Sequence, residues 1–142
     1  MGVGRATTST ALAVALCAIA LGVSGAAAQL PWNDAPAHVE RGEVVAARLG
    51  WPAPRVSGFD AQRRSARDVG EQRAREALHA FVDDALARAL VEPAEATRVH
   101  ALIDEHARRS GVRALADGSA VVEMRVTGAH LRAGSDRSSL PW

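Results

Sequence analysis

Asp60-Ala-Gln-Arg-Arg-Ser-Ala66-Arg-Asp-Val-Gly70-Glu-Gln-Arg-Ala74-Arg-Glu-Ala77-Leu78-His-Ala-Phe81-Val82-Asp-Asp-Ala-Leu86-Ala-Arg-Ala-Leu90 is the stretch that decides the fold. Its small residues Ala66, Gly70, Ala74 and Ala77, and then Leu78, Phe81, Val82, Leu86 and Leu90, recur in steps of three and four. That period puts them on one stripe of a single long helix. A stripe of small residues lets a helix axis lie close against another layer, and the flanking segments read as strands. Asp60 suits the N-cap, where its carboxylate can accept from a free first-turn N–H. The outer face carries Arg64/Asp68, Arg67/Glu71 and Glu71/Arg75 at helical spacing, pairs that each contribute about 0.2–0.5 kcal/mol. Arg63, Arg64 and Arg67 form a candidate anion site near the N-terminus of this helix; the competing reading is a solvated, self-paired face.

Upstream, Gln29–Val39 holds Pro31 and Pro36 and reads as an extended leader. Glu43–Leu49 reads as a strand ended by Gly50-Trp51-Pro52-Ala53-Pro54, since proline cannot donate to a ladder. Val45, Ala47 and Leu49 are the expected core face, because the alternate face includes Arg48. Downstream, Glu92-Pro93 opens a second helix to about Arg109, with Val99, Leu102, Ile103 and Ala107 inward and Ser110-Gly111 as its stop. Val112–Ala116 reads as a short strand. Asp117-Gly118 reads as a two-residue hairpin turn, and Ser119–Thr127 returns as a strand of alternating apolar and charged residues. Residues 129–142 read as a flexible tail ending Leu140-Pro141-Trp142, an echo of Leu30-Pro31-Trp32. The expected fold is α+β, a two-layer sandwich of order β-α-α-β-β. Two helices cover one face of a three-stranded sheet, and the first strand pairs with the last. Such a sheet leaves an open face that invites a partner or a second copy.

The start of the chain has the three parts of a secretory signal: Arg5, an apolar run at Ala11–Val23, and Ala26 and Ala28 before Gln29. Cleavage after Ala28 would leave residues 29–142, enough for one domain, over 40–128. The apolar run is shorter than the ~20 residues that span a bilayer. The one cysteine, Cys17, lies inside this run behind the bulky Leu16, so it reads as an ordinary apolar residue rather than a lipid-attachment site. A periplasmic or secreted location is expected, with no transmembrane span in the mature chain. The formal charge is +1 and every basic residue is arginine. Loss of Arg5 with the signal brings the chain to neutrality, which speaks against a nucleic-acid partner. With no tyrosine and 4% aromatic residues, a stacking platform is not expected.

Three stretches carry a resemblance. Gly42-Glu-Val-Val-Ala-Ala-Arg-Leu-Gly50 is followed by a proline turn and a helix spaced Ala66-x3-Gly70-x3-Ala74-x2-Ala77-Leu78. A closing strand then opens at Ala116-Asp-Gly-Ser119. Over residues 40–128 this resembles the Lpp-twenty lipoprotein-like domain, a family of small exported domains that includes outer-membrane lipoproteins and the N-terminal domain of flagellar assembly protein T. The resemblance implies an envelope role without enzymatic activity and carries no site residues. The chain departs from the family in lacking a lipobox and the further domains of the flagellar protein.

Catalytic and cofactor chemistry finds no foothold. Ser57, Ser65 and Ser110 lack a nucleophile-elbow context, and there is no GxGxxG or P-loop pattern. His100 and Asp104 share a helix face while His106 falls elsewhere, short of a zinc spacing. The expectation is therefore a non-enzymatic interaction domain needing no cofactor, with a small-ligand or ion-binding module as the alternative.

Overall fold

The computed structural model describes residues 35–142. The expected signal at 1–28, Cys17 and the expected cleavage set Ala26, Ala28 and Gln29 lie outside the described residues. The elements run β1 His38–Glu40, β2 Glu43–Gly50, α1 Phe59–Arg88, α2 Pro93–His106, β3 Arg108–Ala114, β4 Ala120–Thr127 and α3 Gly128–Gly134. The fold is α+β, with an antiparallel sheet of four strands in the order β1-β2-β4-β3. The expected three strands become four because the end of the leader folds back. His38–Glu40 pairs with β2 through Arg41-Gly42, both at positive φ (52° and 79°), which is the backbone a tight hairpin with right-handed twist requires. The first long strand does pair with the last, from Glu43↔Thr127 to Gly50↔Ala120.

The core face of β2 is the reverse of the one expected. Val44 and Ala46 pack in the core with Met124 and Val126, and Arg48 shares their side of the strand. Arg48 is tolerated there because its stem is partly buried while its head donates to the carbonyls of Ala35 and Ala47. Between them β2 and β4 meet the small stripe of α1. Ala66, Gly70, Ala74, Leu78, Val82, Ala85 and Leu86 are buried, with Ala77 and Phe81 half-buried beside them. The closest approach is glycine on glycine: a Cβ on Gly50 would sit 2.0 Å from the Ala66 carbonyl oxygen and 2.3 Å from the Gly70 nitrogen.

Both ends of α1 differ from expectation. The N-cap is Gly58, with no side-chain cap, and Asp60 lies in the first turn. At the other end Leu90 is 84% exposed rather than inward. It takes φ 51°, and the N–H groups of Leu90 and Val91 donate to Ala87 O and Leu86 O at 3.2 and 3.1 Å. This is a Schellman close, with leucine where glycine is usual. The helix therefore stops before Glu92-Pro93 rather than at it.

α2 ends at His106, three residues early, because Arg108–Ser110 are recruited to β3 opposite β4. Ser110-Gly111 is thus not a helix stop but part of a strand irregularity between Arg109 and Gly111. The Asp117-Gly118 turn is longer than expected. Gly118 alone has positive φ (84°), Gly118 N–H donates to Leu115 O, and Leu115 N–H donates to Ser119 O, giving a three-residue loop.

The expected flexible tail is packed. Residues 128–134 form α3, Leu131 is fully buried, and Leu140 and Trp142 are each 7% exposed within the main core. Arg137 holds the segment down: its guanidinium donates to Ala89 O and Leu90 O at 3.1 and 3.3 Å, the free carbonyls at the end of α1, and lies 3.6 Å from Glu95 of α2.

Candidate functional site

The register of the sheet assembles a polar cleft at one of its ends. Glu43 stands opposite Thr127, and Arg108 opposite Arg125. His106 closes α2 and His130 lies in α3, which leaves β4 at Thr127. Together with Ser110 these residues line a cleft of about 230 Å³. The two imidazoles lie face to face, with centroids 4.0 Å apart and planes 19° apart. His130 Nδ1 is 2.9 Å from the Thr127 hydroxyl, and His106 Nε2 is 3.8 Å from Glu105.

One wall is an arginine among three glutamates. Arg125 reaches Glu123 at 2.8 Å, Glu40 at 3.1 Å and Glu43 at 3.2 Å. The Glu123 hydrogen bond leads in holding Arg125 charged, above the ordinary guanidinium value, and Glu43 adds to it against the opposing effect of burial. For Glu123 burial is the largest single effect and pushes its carboxyl up. The Ser110 hydroxyl and Arg125 together outweigh it, so the group sits below the usual carboxylate range. These carboxylates are occupied internally. What the cleft offers a ligand is donors: the Arg108 guanidinium, the imidazoles and the Thr127 hydroxyl, a set that suits a small oxyanion. Thr127 and His130 make a hydroxyl–imidazole pair. Among the described residues no carboxylate orients His130 from behind, which leaves the pair short of a hydrolytic triad.

The residues singled out in the sequence do not gather into a site. Arg63 lies over the Phe59 ring at 4.2 Å, Arg67 lies 3.5 Å from Asp68, and Arg64 is exposed. Several outer-face charges pair across elements rather than along the helix, Glu71 with Arg109 at 3.1 Å and Arg75 with Asp104 at 3.9 Å. Ser65 accepts from the Ala53 N–H and Ser110 donates to Glu123, both structural roles. Among the described residues no three histidine, cysteine or carboxylate side chains converge to hold a metal ion. None of the described helices is long and apolar enough to cross a membrane.

No family model, no curated protein and no solved structure matches this chain.

The functional reading therefore rests on the geometry of the fold and on the sequence itself. The cleft draws on β2, α2, β3, β4 and α3, and no local motif announces a site assembled from five elements. A second cluster did leave a trace: His79-x3-Asp83 on α1 is repeated as His100-x3-Asp104 on α2.

Proposed function

We propose that this chain is a non-enzymatic, exported cell-envelope domain that works by protein–protein contact through the outer face of its sheet. The observation that supports this most directly is a shallow groove of about 320 Å³ on that face, lined by Ala47, Val121, Glu123 and the β3 residues Gly111, Val112 and Arg113. No described helix packs over it, and it runs onto β3, a seven-residue edge strand with six exposed positions. A free edge beside an apolar groove is the geometry that accepts an added strand. Its charge selects the partner. Arg108 and Arg113, opposite Arg125 and Val121 of β4, fit an extended acidic segment. The secretory pattern of residues 1–28 and the resemblance to Lpp-twenty lipoprotein-like domains support the envelope setting.

A photo-crosslinker at Val112, compared with one at Leu90 at the far end of α1, tests the proposal in cells exporting the full chain. The expected result is a discrete adduct from Val112 that is lost when Arg108 and Arg113 are replaced by glutamate. Equal labelling from both positions, or a monomer with no adduct, would sink it. The second reading is a module for a small oxyanion, supported by the donor-rich cleft at His106 and His130. A thermal shift of several degrees with phosphate or a small carboxylate, abolished in Arg108→Ala, would favour it.

A further inference from the structure

A crossed polar cluster joins two helices, away from the cleft at His106 and His130. α1 contributes His79 and Asp83, α2 contributes His100 and Asp104, and the pairs are crossed. His79 Nε2 lies 2.9 Å from Asp104, and His100 Nε2 lies 2.7 Å from Asp83. The two Nδ1 atoms face each other at 2.7 Å. The ring planes are 18° apart but the centroids are 5.0 Å apart, so the imidazoles meet edge to edge, with both Nδ1 atoms close to the line between the centroids. The result is a single row, Asp104–His79–His100–Asp83.

Proton counting fixes the state of this row. Each carboxylate accepts from an Nε2–H, which uses one proton per ring. Both Nδ1 atoms would then present lone pairs to each other at hydrogen-bond distance, and that contact repels unless a third proton lies between them. With four ring protons, two N–H groups would collide instead. We propose that His79 and His100 bind one excess proton between them, forming a proton-operated latch that clamps α2 to α1 only in the singly protonated state.

The surroundings suit one positive charge. Asp83 and Asp104 carry two negative charges. Arg75 of α1 stands 3.9 Å from the Asp104 carboxylate and donates to the Asp104 carbonyl, offsetting part of them. Glu76, one turn before His79 on α1, is engaged by Gln72. Both imidazoles are about one-quarter exposed (26% and 25%), so the shared proton exchanges with solvent. A metal ion fits the row less well. Two tetrahedral zinc–nitrogen bonds of about 2.0–2.1 Å hold their nitrogens further apart and at an angle, not collinear at hydrogen-bond distance.

The sign of the pH dependence follows from the same count. Well below the ordinary histidine value of about 6.5, the unfolded chain binds two protons here and the folded row binds one, so stability rises with pH. Well above it, the unfolded chain binds none and the folded row keeps one, so stability falls with pH. The latch therefore adds a bell centred near pH 6.5. α2 is its natural load, because the residues burying that helix are Val99 and Ile103.

The test is imidazole 15N NMR of the described domain within the full exported chain, combined with melting temperature from about pH 5 to 8. The expected signature near pH 6.5 is a nitrogen–nitrogen coupling between the two Nδ1 atoms, with both Nε2 atoms protonated. The melting temperature should fall by about 3–6 °C on either side. His79→Gln and His100→Gln should each flatten the bell, and the double variant should fall no further than either single one. Two rings titrating independently, with no coupling, would overturn the latch even if the variants misfold. So would loss of the Nδ1 signals on adding one equivalent of zinc, copper(II) or nickel at pH 6.5, which would make the row a metal site.

Discussion

At the residue scale the helix–sheet contact comes down to two glycines. Gly50 and Gly70 bring backbone against backbone: a Cβ on Gly50 meets backbone, Ala66 O and Gly70 N at 2.0 and 2.3 Å, whereas a Cβ on Gly70 meets the Val122 side chain, Cγ2 at 2.8 Å. Gly50→Ala should therefore cost about 3 kcal/mol or more, and Gly70→Ala less, since the alanine regains about 1 kcal/mol of helix propensity. Urea titration of both variants checks the order; an unchanged midpoint for Gly50→Ala would mean that β2 and α1 are not in backbone contact there. Leu90 is the opposite case. It holds a left-handed backbone (φ 51°) with its side chain in solvent, so nothing in its packing offsets the strain. Leu90→Gly should raise stability by about 0.5–1 kcal/mol, read as a higher melting temperature.

At the element scale the C-terminal segment is a structural part of the domain. Trp142 and Leu140 sit in the core, and Arg137 ties their loop to the last carbonyls of α1. Trp142→Ala should cost about 3–5 kcal/mol, and removal of Leu140–Trp142 should uncover Gly128, which packs against Trp142, and loosen α3. Hydrogen exchange of the α3 amides measures both; unchanged protection in the truncated chain would show that Leu140–Trp142 are dispensable. The same segment shows where the sequence stops being legible. The Ala66–Gly70–Ala74 stripe and the alternation of Ala120–Val126 can be read because each is a local period, and both lie where that period puts them. The end of the chain has no such period. Ser135, Asp136, Arg137, Ser138 and Ser139 look like solvent-facing residues, and Leu140 and Trp142 are buried by distant elements whose convergence no short-range pattern records. The face of β2 is ambiguous for a related reason. Val44/Ala46 and Val45/Ala47 are equally apolar, and Arg48 joins the core side with its head donating to the carbonyls of Ala35, thirteen residues away, and Ala47. The cleft at His106 and His130 is illegible throughout, whereas the doubled His-x3-Asp spacing is in plain view and acquires meaning once α1 and α2 are known to lie side by side.

At the scale of the whole molecule, acid should act on the fold in two separable steps. The first is the step that the proposed proton between His79 and His100 predicts, around the ordinary histidine value of about 6.5. A second step belongs to carboxylates at the sheet. Asp117 is held below its ordinary value, first by the Ser119 hydroxyl and then by the Ser119 N–H. Glu123 is pushed up by burial but held down further by Ser110 and Arg125. A carboxyl depressed in the folded state binds fewer protons than it does in the unfolded chain. Its contribution is therefore complete above the unfolded value, about 3.9 for Asp and 4.3 for Glu, and is lost as the pH falls through the lower folded value. Protonating Glu123 also releases Ser110 and one of the three carboxylates around Arg125, loosening β3 from β4 where the ladder is already irregular between Arg109 and Gly111. Unfolding followed from pH 8 to pH 2 should show a fall on each side of about pH 6.5 and a separate, steeper fall below about pH 4. Glu123→Gln should make the lower step shallower and leave the upper one in place, while His100→Gln should do the reverse. If Glu123→Gln moves both steps together, the sheet and the helix pair titrate as one network, and the crossed Asp–His row does not act as an independent latch.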